Sequence, residues 1–434
     1  MKKSIIFSIN IFIIIFCWVF TAYFSIFTSQ LLIFSTFIFL AFKDLKYHLF
    51  VVYFLFLVLS DSRLDFLAFI SSIKPFVSLL FYFIAILIIR KSKFSSSLIK
   101  IKFFFPFIIL VLFNYFINGF EIMIFQKSIS YVLIFIIVPF LVEDLLIDNI
   151  KLIKNIIYIF VFILLISFIT YYFAEDISFL KGRYRGVFGN PNGLGIFCLL
   201  FFFILEFSQK KHNVSFRKYE KIIFLALIFI SLILTQSRTC LLAIFIYYVF
   251  NFLLKYSVVI AVTFSLFVFI IFGFMSFNLN NILVLLNIEN YIRIESISDA
   301  SGRYIAWNFL WNEILSENIL LGHGIGSTEI LFKKNYSFLS MLGHEGNAHN
   351  SFLTLLYDNG FFGLIFLLFF IFKSFMNSNN YIIHIPLLLG IFISAFFESW
   401  LSASLNPFTI LFLFIVVLAQ IDSTDEVGGN VVIN

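Results

Sequence analysis

The chain has 434 residues, 62% of them hydrophobic and 12% charged, with a formal net charge of +6. A soluble domain carries about 25% charged and about half apolar residues. This composition therefore leaves too little polar surface to cover a water-soluble globule, and it excludes a soluble enzyme. The +6 balance does not point to nucleic acid, because the basic residues sit in short clusters between apolar runs.

In lipid, a spanning segment satisfies its backbone as a helix or as part of a closed barrel. A barrel alternates apolar and polar residues, whereas 156–173 and 258–277 are apolar on every face. The fold class expected is all-α: a polytopic integral membrane protein with about 12–14 transmembrane helices, each about 20 residues or shorter. In chain order the segments fall near 5–27, 31–42, 49–60, 71–89, 103–117, 129–142, 155–173, 193–207, 222–235, 240–254, 257–277, 353–372, 381–397 and 405–419. Lys2 and Lys3 precede the first, which reads as a retained span rather than a cleaved signal.

With the amino terminus inside, Lys43, Lys46, Arg90, Lys91, Lys93, Lys100, Lys102, Lys151, Lys154, Lys210, Lys211, Arg217, Lys218, Lys221, Lys255 and Lys373 fall on the inner side. The carboxy terminus then also lies inside. Arg63, Lys181, Arg183, Arg185, Arg238, Arg293, Arg303, Lys333 and Lys334 stay outside, against the bias. The organisation predicted is a helical region over 1–277, a large outer loop with amphipathic helices over 278–350, further spans over 351–420 and a polar inner tail over 421–434. Cys17, Cys198 and Cys240 lie in or beside apolar segments without metal-ligand spacing and read as small core residues.

Four polar clusters sit on the outer side. Lys181 to Gly195 contains Arg183, Arg185 and Asn190-Pro191-Asn192 just before a span. A turn opening a helix presents free N–H groups that favour an anion, and arginine grips phosphate bidentately; equally, the arginines are ordinary interfacial anchors. Thr235-Gln-Ser-Arg-Thr239 is a short turn carrying Arg238 against the charge bias, as a functional cation or one snorkelling to headgroups. Ser301 to Leu315 reads as an amphipathic helix with Ser301 as N-cap and Arg303, Trp307 and Trp311 on one face. A seat at the membrane interface accounts for the tryptophans but less well for Arg303.

Leu321-Gly-His-Gly-Ile-Gly-Ser327 reads as a flexible turn, and Gly343-His-Glu-Gly-Asn-Ala-His-Asn350 leads into the next span. His344, Glu345 and His349 do not form a zinc motif, since the histidines are five apart with Gly346 between them. A histidine at this surface suits a base, with an unperturbed pKa of about 6.5, although a lone histidine is more often structural.

Together these pieces resemble the superfamily of bacterial O-antigen polymerases and O-antigen ligases. His349-Asn350 followed by Gly360-x-x-Gly363 is similar to the family signature closing its large periplasmic loop. Gly186-Val-Phe-Gly-Asn-Pro-Asn-Gly-Leu-Gly195, Gln236-Ser-Arg238, and Arg303…Trp307 with Gly322-His-Gly-Ile-Gly326 resemble further family segments. The resemblance covers about residues 182–373; the amino-terminal half is alike only in hydropathy.

It implies a metal-independent glycosyl transfer, with no cofactor, at the periplasmic face of the bacterial inner membrane. The donor is a glycan on undecaprenyl diphosphate, held with membrane lipid around it. His349 is implied as general base, with Arg185 and Arg238, then Arg183, Arg303 and Asn350, binding diphosphate or glycan. A chain-length regulator is a family expectation as partner. The Asn-Pro-Asn segment and the Phe/Ile-rich composition look more like a polymerase, whose acceptor is a second lipid-linked repeat unit, than a ligase, whose acceptor is lipid A–core. A lipid-linked oligosaccharide flippase is the rival of another class. It is expected to place ionisable groups near the midplane, whereas the polar motifs here gather at one outer face.

Overall fold

The computed structural model describes residues 2–62, 64–89, 102–118, 121–277, 295–316, 318–344, 346–376 and 381–421. Arg63, Arg90, Lys91, Lys93, Lys100, Arg293, Glu345, residues 278–294 of the large loop and the tail beyond Ile421 lie outside the described residues.

Each of the fourteen predicted apolar segments coincides with a helix. In order they are α1 (Lys2–Phe24), α2 (Ile26–Phe42), α3 (Lys46–Asp61), α4 (Ala68–Ile88), α5 (Phe105–Asn118), α6 (Ile122–Asp148) and α7 (Leu152–Phe173). A helical turn, Glu175–Ser178, and a short antiparallel hairpin, β1 (Phe179–Leu180) with β2 (Arg183–Tyr184), lead to α8 (Pro191–His212). Then follow α9 (Lys218–Thr235), α10 (Arg238–Leu253) and α11 (Val258–Phe277). The large loop contributes α12 (Glu295–Ser316), α13 (Ser327–Lys334) and α14 (Tyr336–Met341), before α15 (Ser351–Met376), α16 (Tyr381–Phe397) and α17 (Pro407–Gln420). Among the described residues, five are long and apolar enough to cross a membrane: Asp65–Ile88, Ile122–Ile147, Leu152–Phe173, Pro191–His212 and Ser351–Met376. The protein is a predominantly helical, multi-pass membrane protein of the all-α class.

Helices α8 and α17 form its centre. They pack against each other, and nearly every residue of each is buried. Both begin Asn-Pro: Asn190 accepts from the Gly193 amide at 2.6 Å, Asn406 accepts from the Thr409 amide at 2.8 Å, and proline follows at the first helical position. The outlying α1, α2 and α11 turn phenylalanine and isoleucine outward, as a lipid-facing surface does.

Lysine-bearing connections meet at one end of the bundle. Lys46 pairs with Asp144 at 2.5 Å, Lys154 donates to the Ser215 carbonyl at 2.9 Å, and Lys211 donates to the Ala419 carbonyl at 2.5 Å. The polar clusters meet at the other end. There α12, α13, α14 and the start of α15 enclose a second small core of Ala306, Leu310, Ile314, Phe332, Leu339, Ala348 and Tyr357.

The glycine spacing after His349 has a backbone cause. Gly360 sits inside α15 at φ 67° and breaks it. The segment from Ile319 to Gly324 crosses there and takes up the freed groups: Phe361 donates to the Ile319 carbonyl at 2.8 Å and His323 donates to the Tyr357 carbonyl at 3.1 Å. A Cβ on Gly360 would strike the Leu320 carbonyl, and one on Gly322 the Gly360 amide. Asp358 receives the Gly326 and Thr328 amides at 2.8 Å each, and so seats α13 on α15.

One expectation for α12 needs correction. Ser301 is not its N-cap, because the helix starts at Glu295; nothing over 295–300 is a helix breaker. Its three marked residues keep to one broad face but differ in burial: each step of four advances about 40° beyond a full turn, so Arg303 and Trp307 are half-buried while Trp311 is turned out.

Candidate functional site

The site is built around a carboxylate, Glu398, which directly follows α16 and whose side chain is 8% exposed. Its Oε1 accepts from the Arg303 guanidinium at 2.7 Å and from the Asn192 amide at 2.8 Å. Its Oε2 lies 3.4 Å from His349 Nδ1. Three separate stretches of sequence thus converge on one side chain.

Each partner is positioned by local structure. Of Asn190-Pro191-Asn192, the first residue caps α8 and the proline opens it; the second reaches Glu398 and also accepts from Arg183 at 2.8 Å. Arg183 donates from two nitrogens to the Thr235 carbonyl, at 3.0 and 2.9 Å, and so joins the end of α9 to α8. Gln236 turns the chain in the left-handed region at φ 54°, and Ser237-Arg238 opens α10. Arg303 comes from α12, whose Trp307 packs on Phe396 and Phe397 and donates to the Ala348 carbonyl at 2.7 Å.

That bond holds the residue before His349, and His349 itself sits at φ 46°, in a region that side-chain-bearing residues seldom adopt. Asn350 then caps α15, receiving the Phe352 and Leu353 amides at 2.9 and 3.0 Å. Its own amide donates to Ser399 Oγ at 3.0 Å, and Ser351 Oγ donates to the Glu398 carbonyl at 2.6 Å. The turn carrying the histidine is therefore fastened to the segment carrying the carboxylate.

Electrostatics follow the geometry. Burial alone would raise the Glu398 carboxyl, but Arg303, His349 and Arg183 together hold it below the usual carboxylate range. It is therefore ionised at neutral pH. With Nδ1 turned to that carboxylate, His349 has its Nε2 unbonded among the described residues, and its side chain is 32% exposed.

The structure does not bring all the predicted residues together. His349 and Arg303 share Glu398, and Arg183 is one residue removed through Asn192. Arg238 stands exposed at the start of α10, with no side-chain partner among the described residues. Arg185 is largely buried; it donates to the Ile177 carbonyl at 2.9 Å and the Gly189 carbonyl at 3.3 Å, which holds the 177–189 loop in shape. Asn350, as the cap of α15, is likewise turned to the backbone. Sequence reasoning did not assign Glu398 to the site. The available signal was its scarcity, a carboxylate at the end of an apolar helix.

Residues 223–368, about a third of the chain, match the family model described as O-antigen ligase. The matched stretch holds Arg238, Arg303, His349, Asn350, Gly360 and Gly363, and it bears out the resemblance to the O-antigen polymerase and ligase superfamily. Among curated proteins, none matches the chain.

Proposed function

We propose that this multi-pass membrane protein, with its O-antigen ligase family domain, transfers a glycan from a polyprenyl diphosphate to a sugar hydroxyl at the periplasmic face of a bacterial inner membrane. Both termini then lie in the cytoplasm. The observation that carries the reading is the exposed His349 backed by the buried, ionised Glu398.

In this mechanism Glu398 fixes the imidazole with its proton on Nδ1, leaving Nε2 basic. Nε2 takes the proton of the acceptor hydroxyl as that oxygen bonds to the donor's anomeric carbon. The bond from that carbon to the diphosphate breaks, and the polyprenyl diphosphate leaves with the electron pair. Charge grows on the leaving oxygens, where Arg238 and the N-terminal amides of α10 are suited to meet it. Arg303 and Arg183 keep Glu398 charged and add to the positive field. Arg185 and Asn350 act here by shaping the loops rather than by holding substrate.

The acceptor we favour is a second lipid-linked repeat unit, making the chain a polymerase; the support is the Asn-Pro-Asn segment and the Phe/Ile-rich composition. The description of the matching family favours the second reading, transfer to lipid A–core. Complementation of polymerase-null and ligase-null strains carrying the cognate sugar gene cluster distinguishes them. Polymerase activity restores a ladder of many repeats only in the first strain. Ligase activity restores surface polysaccharide only in the second, and failure in both overturns the transfer reading.

A further inference from the structure

One face at this end of the bundle has no part in the chemistry above. On α12, Tyr304, Asn308, Trp311, Asn312 and Leu315 recur at helical spacing and fall on one side. All five are exposed, Tyr304 at 52% and Trp311 at 43%. The helix buries Ala306, Leu310 and Ile314 in the loop's own core, so this face points away from that core. It begins next to Arg303, whose guanidinium is on Glu398, and it flanks Trp307, which is seated against the end of α16. From there it runs about 16 Å along the helix.

We infer that this face is a binding track for the saccharide chain. The inference rests on the glycosyl-transfer reading and names the surface that the glycan uses. A sugar ring presents a flat face of C–H groups and a rim of hydroxyls. Two aromatic side chains supply apolar planes for the first, and two carboxamides, each both donor and acceptor, supply partners for the second.

A membrane surface also attracts exposed tyrosine and tryptophan. A helix lying in that interface, however, carries an uninterrupted apolar face with Lys or Arg on its polar side. Here asparagines interrupt the aromatic residues, and there is no Lys or Arg between Tyr304 and Ser316. A reaction that joins long glycans also needs support for sugars beyond the bond being formed, and this face starts where that bond is made.

The test uses the full chain in nanodiscs, with two readouts. One is binding of the lipid-free oligosaccharide released from the cognate polymer by mild acid. The other is the ladder made from the lipid-linked repeat unit. Tyr304→Ala and Trp311→Ala are each expected to weaken oligosaccharide binding about twofold to tenfold. Both should shorten the ladder while leaving the first coupling of two units at its normal rate. Trp311→Tyr should retain binding and Trp311→Leu should lose it, because leucine keeps the apolar surface but not the ring. Normal binding and ladder in Trp311→Leu would seat this face in the membrane and overturn the track, as would unchanged behaviour of both alanine variants. Wild-type protein that binds the oligosaccharide but forms no bond would break the transfer reading and leave the track standing.

Discussion

Lys46 and Asp144 meet at 2.5 Å at one end of the bundle, with side chains 8% and 1% exposed; at the other end Arg303 and His349 reach Glu398 at 2.7 and 3.4 Å, with side chains 23% and 32% exposed. The first arrangement is a closed pair that ties α3 to α6, next to Lys211 on the last carbonyls of α17. Each charge has the other as a direct partner, which offsets part of the cost of desolvating both. The second is one carboxylate shared among an arginine, an asparagine and a histidine, with Arg238 exposed nearby in sequence to the Thr235 anchor of Arg183. Positive charge exceeds negative in that cluster, and the second ring nitrogen of His349 is unbonded among the described residues. A closed pair serves the fold. A shared carboxylate with partly exposed partners leaves donors open to a ligand.

The largest expected effect breaks the open end. His349→Ala should reduce transfer by about 10²–10⁴-fold, the usual worth of a positioned base, with normal expression and membrane insertion. Near-normal polymer from that variant would remove His349 from the role. Next comes the closed end: Lys46→Met takes the ammonium away from the buried Asp144 carboxylate, so unfolding in detergent should cost less, by at most about 3–5 kcal/mol. Turnover per folded molecule should not change, and a selective loss of turnover would show that the two ends are coupled.

Glu398→Gln keeps the shape of the hub and removes its charge. A fall in kcat on the order of 10–100-fold, as when the group orienting a functional imidazole is lost, with KM largely retained, would support the orienting role. The same depressed carboxyl sets a pH dependence. Its contribution to stability is present above the usual carboxylate range, about 4.3, and is lost as pH falls through the lower folded value, so melting temperature should drop only in acid. The finest distinction is at Arg238. Alanine there should cripple turnover, and lysine should recover it only in part, because an ammonium lacks the guanidinium fork; full recovery by lysine would mean a simple point charge.

Hydropathy alone located fourteen helices, because a run apolar on all faces has no other stable state in lipid. The residues that gather at one end could also be seen as polar motifs placed against the charge bias. Asn190-Pro191, Gln236-Ser237 and Gly360-x-x-Gly363 were legible for the same reason, since caps, left-handed turns and helix breaks are local backbone demands. What each motif does was not local. The arginines looked alike, yet Arg185 spends its donors on the 177–189 loop, Arg183 joins α9 to α8, Arg303 pairs with Glu398 and Arg238 stays open.

The sequence by itself thus determined that the chain lives in a membrane as helices and which loops carry the polar motifs. Only the tertiary structure decided that α8 and α17 are central while α1 and α11 are outer. Lipid and protein interior are equally apolar, so no hydropathy pattern separates a helix facing one from a helix facing the other. It alone decided that Glu398, 49 residues from His349 and 206 from Asn192, is the group on which they converge. Convergence at that distance is set by helix packing, which one strand of sequence does not encode in any single segment.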